Sequence, residues 1–178
     1  HICYSGGLLS YLALEALVSK NVQVWLSSNN ESIRRDRSLG RQDSVRLSFV
    51  PNSFFFQRAN RNACLVWLRF SPAALSLGGI SYCRGNAASE FASLYSRPEA
   101  LGLDWNLLKS FSGCQTENGP PLSYPAHYAS EWEAPECIRL KNITLNSEIL
   151  VEHFLPLDFC TGIFDIQNRA WIPFSRKE

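Results

Sequence analysis

His127, His153, six cysteines and two Asn-x-Ser/Thr triplets are the residues whose types and spacing could do chemistry in this chain of 178 residues. A His127–His153 pair, assisted by Glu152 or Lys141, has the groups for acid–base catalysis of the ribonuclease kind. It works only if the two segments carrying the imidazoles meet. The third histidine, His1, stands at the start of the chain. No serine occupies a G-x-S-x-G elbow. No close cysteine pair of the zinc-site type occurs, so neither a metal nor a cofactor is called for.

The cysteines are Cys3, Cys64, Cys83, Cys114, Cys137 and Cys160, and the last three stand twenty-three residues apart. Asn30-Glu31-Ser32 and Asn142-Ile143-Thr144 fit the N-glycosylation acceptor pattern. An even cysteine count beside two such triplets points to an oxidising compartment and up to three disulfides, of open connectivity. Buried free thiols are the alternative. Near the start, Ser5-Gly6-Gly7-Leu8-Leu9-Ser10 resembles the pyrophosphate-binding SGGxDS loop of the ATP-pyrophosphatase family, with Leu9 where that motif carries Asp. That resemblance implies a nucleotide-binding α/β protein. A glycine turn leading into an amphipathic helix accounts for the same residues without a ligand.

The segment 115–136 has no clear periodicity and is long for a passive connection. Its four prolines reduce the entropy lost on binding, and Tyr124, Tyr128 and Trp132 are large amphipathic side chains suited to recognition. The competing account folds these aromatics back onto the body as a lid.

The elements that must position these residues are mostly strands. Leu9, Leu12, Ala13, Ala16 and Leu17 share a face, which predicts an N-terminal helix over Leu8–Lys20. Strand patterns follow at 22–26, 45–49, 53–57, 64–70 and 80–83, with a polar connection at 27–44. A helical insert is expected at about 86–112, built from Ala87–Tyr95 and Pro98–Phe111. Three more strands, at 137–144, 148–155 and 160–166, close the chain, with Asn146-Ser147 as a hairpin turn between the first two. The fold class is therefore α+β and β-rich. One domain over 1–178 carries an antiparallel sheet or sandwich, with the N-terminal helix and helical insert, stapled by disulfides.

Lys and Arg number 17 against 16 Asp and Glu, a formal charge of +1. No excess of one sign is present to steer a polyanion, which argues against nucleic acid. The apolar runs 12–18 and 63–80 are broken by Glu15 and Arg69, so neither reads as a membrane span. The chain starts at His1 and holds no Met, as a processed product or excised ectodomain would. Together these features predict an extracellular glycoprotein domain, secreted or on a cell or virus surface. It binds a protein or receptor partner through Tyr124, Tyr128 and Trp132, and has no catalytic residue of its own. A secreted ribonuclease-like hydrolase using His127 and His153 is the second reading, and the nucleotide binder the third.

Overall fold

The computed structural model describes residues 2–4, 11–19, 21–22, 37–49, 65–113, 135–165 and 170–174. These form a mixed α+β fold dominated by antiparallel strands, as the apolar alternation predicts. One sheet has the order β1-β4-β9-β10, from Ile2–Tyr4, Leu65–Phe70, Cys160–Asp165 and Ala170–Pro173. A second has the order β3-β7-β5-β6, from Ser44–Ser48, Glu148–Glu152, Ile80–Arg84 and Ser93–Tyr95. A short ribbon pairs β2 (Ala16–Val18) with β8 (Phe154–Pro156). Val45 and Leu47 point inward from β3, opposite Val151 and Ile149 of β7. One cluster of buried side chains unites Leu17, Val45, Leu68, Val151 and Leu155, so the ribbon and both sheets share a core.

Three expected elements come out differently. The N-terminal helix is a helical turn at 11–14 that ends at Glu15, whose φ of 55° is left-handed. The chain then extends into β2, where Leu17 and Val18 are buried beside β8, while Leu12 and Leu14 stay exposed. A continuous helix would turn that apolar set out of the core. The helical insert is broken as well. Asn86 Oδ1 accepts from the Ala88 amide at 2.7 Å, which favours a turn over a helix, and β6 then pairs with β5. A 3-10 turn at Pro98–Leu101 stops at left-handed Gly102. Only then does a helix form, α1 (Trp105–Gly113), where the Leu107 amide donates to Asp104 Oδ1 at 2.9 Å.

The third difference matters most for the site. The expected strand 137–144 is a helix, α2 (Pro135–Asn146). Pro135 suits the first helical position and Glu136 the first turn. Ile143 packs against the core while Thr144 and Leu145 are buried, so the β-branched residues that suggest a strand here serve a helix face. The expected hairpin turn at Asn146-Ser147 is absent with that strand: Asn146 is the last residue of α2, and Ser147 joins the helix to β7.

The expected staples are not seen among the described residues. Cys83, Cys137 and Cys160 are free thiols. Cys83 and Cys160 are buried as small apolar groups, and Cys137 is exposed on α2. No helix among the described residues is long and apolar enough to cross a membrane.

Leu155 is 0 % exposed and pairs with Leu17 across the ribbon. Its replacement by Ala should lower unfolding free energy by about 2–5 kcal/mol, read from urea denaturation, because the ribbon leaves little room to collapse.

Candidate active site

Arg41 and Glu148 are the strongly charged side chains buried among the described residues, at 9 % and 8 % exposure. Arg41 lies just ahead of β3 and Glu148 opens β7. They grip the same residue from opposite sides. Glu148 Oε2 accepts from the Ala87 amide at 2.6 Å, and Arg41 Nη1 donates to the Ala87 carbonyl. Arg41 also donates to the Ser89 carbonyl at 3.0 Å and, through Nη2, to the Ala92 carbonyl at 2.9 Å. The turn from Gly85 to Ala92 is thereby fixed against the second sheet. Ser147 adds to the clamp, its Oγ accepting from the Gly85 amide at 2.9 Å and donating to the Ile143 carbonyl at 2.8 Å.

Cys83 sits opposite Glu148 in the sheet register and is fully buried. Burial pushes its thiol up to about 11, with Arg41 pulling it down, Glu148 pushing it up and Arg46 pulling it down. The thiol is thus inert near neutral pH, and its value reports that these three charges converge around it. Burial likewise raises Cys160.

Buried polar atoms are nearly always hydrogen-bonded, so an orphaned one needs a reason, an absent ligand or water among them. Arg41 Nε, Ser19 Oγ and Gln42 Oε1 are buried without a hydrogen-bond partner. They lie on adjoining segments, joined where the Asn21 amide donates to the Gln42 carbonyl and Asn21 Nδ2 donates to Asp43 Oδ1. At Ala87 the buried carboxylate of Glu148 and the guanidinium fork of Arg41, with its Nε left over, set an acceptor and a donor at one place. On the far side of the 85–92 turn, an open cleft of about 470 Å³ runs between Gly85, Asn86 and Ser89 and the Arg139, Asn142 and Asn146 side of α2.

Few of the residues singled out from the sequence fall here. Tyr124, Tyr128, Trp132, His127, Asn30, Cys64, Cys114 and the segment Ser5–Ser10 lie outside the described residues. His153 is exposed, with a left-handed φ of 61°. Its amide donates to the Asp43 carbonyl and its carbonyl accepts from the Ser19 amide, so its backbone knits the turn between β7 and β8 to its neighbours. Asn142 is exposed on α2 and borders the cleft. Arg41 and Glu148 escaped sequence reading. The available signal was Glu148 at the head of the apolar run Ile149-Leu150-Val151, where a carboxylate enters a strand buried on both faces.

A family model described as "ssDNA thymidine ADP-ribosyltransferase, DarT" matches residues 1–171. Among solved structures, the chain is similar to Thermus sp. 2.9 DarT in complex with NAD+, at 17% identity and a TM-score of 0.58, covering 94% of this chain and 81% of that one. The same figures hold for Thermus sp. 2.9 DarT in complex with ADP-ribosylated ssDNA. Thermosipho africanus DarTG in complex with ADP-ribose is similar at 12% identity and a TM-score of 0.56, covering 92% of this chain and 42% of that one. At these identities the likeness shows the fold. No curated protein sequence matches the chain.

The raised Cys83 thiol has a pH signature. Above pH 9 an unfolded chain loses this proton while the folded protein keeps it until about 11, so stability should fall as pH rises through that window. Urea denaturation from pH 8 to 11 should show the decline, and Cys83→Ala should make it shallower.

Proposed function

The chain belongs to the DarT family of ssDNA thymidine ADP-ribosyltransferases, and we propose that it moves ADP-ribose from NAD+ to thymidine in single-stranded DNA, with Glu148 and Arg41 at the centre of the reaction. Membership of that family overturns the expected secreted or surface glycoprotein with a receptor partner, and the ribonuclease-like alternative. The ATP-pyrophosphatase resemblance gives way to it too. The exclusion of nucleic acid fails for a physical reason. Residues 1–69 hold nine Lys and Arg against four Asp and Glu, so a net charge of +1 conceals a basic N-terminal stretch balanced by an acidic remainder. Attraction to a polyanion depends on the local field, not the sum. The extracellular location falls with the rest, since an enzyme acting on DNA works where the DNA is.

NAD+ supplies an ADP-ribosyl group whose bond to nicotinamide breaks at the ribose, the bonding electrons leaving with nicotinamide. Positive charge then grows at that ribose carbon as the thymidine acceptor atom attacks and loses its proton. Glu148 meets both needs: its carboxylate opposes the growing charge from a buried position, and it can take the proton. Its hold on the Ala87 amide orients it. Arg41 fixes the facing turn through three carbonyls and keeps Nε for the dinucleotide, alongside Ser19 Oγ and Gln42 Oε1. The observation that carries this reading is the shared grip of Arg41 and Glu148 on Ala87, which holds two opposite charges in the interior at one point. Tyr124, Tyr128 and Trp132 keep a recognition role on this reading, stacking on the bases of single-stranded DNA.

Glu148→Gln retains an oxygen for the Ala87 amide and removes the charge. Transfer of labelled ADP-ribose from NAD+ to a thymidine-containing oligonucleotide should then fall on the order of 100- to 10,000-fold with the melting temperature little changed. Wild-type transfer by this variant would remove Glu148 from the reaction.

A further inference from the structure

A transfer between two substrates needs two places. The orphaned polar atoms assigned to the dinucleotide, on Ser19, Arg41 and Gln42, are none of them in the wall of the 470 Å³ cleft. That cleft is nevertheless built against the active site, because its wall at Gly85, Asn86 and Ser89 belongs to the turn that Arg41 and Glu148 clamp. Resting on the reading of single-stranded DNA as acceptor, we propose that the cleft is the track for the strand beside the modified thymidine, with Arg139 on a backbone phosphate, Asn142 on a base edge and Phe91 stacked on a base.

The opposite wall carries polar groups of the right kind. Arg139, Asn142 and Asn146 recur at helical spacing on one side of α2. Arg139 is exposed, and among the described residues it makes no hydrogen bond or ion pair. The Asn142 side chain is likewise unengaged among them, its backbone carbonyl alone accepting from Asn146 Nδ2 at 2.8 Å. An arginine and a carboxamide three residues apart pair a phosphate contact with a donor and acceptor for a base edge. Asn86 shapes the facing wall, since its side chain is committed to the Ala88 amide.

Phe91 is the independent observation. It is 88 % exposed, the highest of the exposed large hydrophobic residues. Loop tips this exposed are seldom rigid, yet here the backbone is pinned on both sides. The Phe91 amide donates to Ser89 Oγ at 3.3 Å, and the carbonyls of Ser89 and Ala92 are held by Arg41. A solvent-facing ring on a backbone held in place, two residues from Ser89 in the cleft wall, offers a stacking face at a lower entropy cost than a mobile loop would.

The test measures affinity of the full chain for a fluorescent single-stranded oligonucleotide containing one thymidine, across a salt series. Each phosphate neutralised on a single strand contributes about 0.7 to the slope of log K against log salt, so Arg139→Gln should flatten that slope by about 0.7. Arg97→Gln, an exposed arginine outside the cleft, serves as control and should keep the wild-type slope. Phe91→Ala should weaken binding roughly 5- to 150-fold, the range of one base–aromatic stack. Asn142→Ala should alter the ranking of oligonucleotides that differ in the base next to the thymidine. An unchanged slope in Arg139→Gln, or unchanged affinity in Phe91→Ala, overturns the track. If the wild-type chain neither binds nor modifies single-stranded DNA, the acceptor reading itself fails, which is a separate result.

Discussion

The interior placement of two opposite charges, Arg41 and Glu148, constrains everything around them. A guanidinium and a carboxylate out of water are tolerated only where hydrogen bonds replace lost hydration. Here the replacement is mostly backbone: Arg41 uses the carbonyls of Ala87, Ser89 and Ala92, and Glu148 the Ala87 amide. The 85–92 turn cannot shift without stripping one of the charges, so its shape is set by electrostatics more than by its own sequence. Cys83 next to Glu148 completes the picture, a neutral thiol filling a place where a further charge would be costly.

The same clamp links the elements that have to cooperate. Arg41 leads into β3, Glu148 opens β7, and the turn between them hangs from β5, so three neighbouring strands of one sheet converge on one point. Farther along β7, His153 takes a left-handed conformation that lets its amide bond Asp43 and its carbonyl bond Ser19. Such a backbone is strained for a side chain with a Cβ, and it persists because the neighbours on both sides hold it. The segment around Ser19 is thereby brought beside Gln42 and Asp43, which follow Arg41 in the chain. The buried charges and the ribbon are tied together through the backbone bonds of neighbouring segments.

Chemistry of ADP-ribosyl transfer asks for little covalent help from a protein. It asks for a carboxylate kept in a fixed place, an electropositive neighbour, and two approaches that do not interfere. On the reading proposed above, a strand-end glutamate and a loop arginine meet those needs. Histidines are poor guides to such a site. His153 contributes its main chain, and His127 belongs to the segment outside the described residues.

The sequence by itself determined that the chain is β-rich and antiparallel. Alternation of Val45 and Leu47 with Arg46 and Ser48 specifies a strand through a local period of two, and the apolar runs at 64–70, 80–83 and 148–155 mark three more. Tertiary structure decided the rest. Whether 135–146 is helix or strand turned on which side of Ile143, Thr144 and Leu145 meets the core, since β-branched residues fit either. Whether Glu15 ends a helix depended on β8 being there to pair with Leu17. The site was the least legible part. Its bonds join residues 46 and 61 positions apart, and no local pattern distinguishes a carboxylate that will be buried against a distant amide from one that will face water. Burial of charge is a property of the assembled fold, because only the assembled fold supplies the partners that make it affordable.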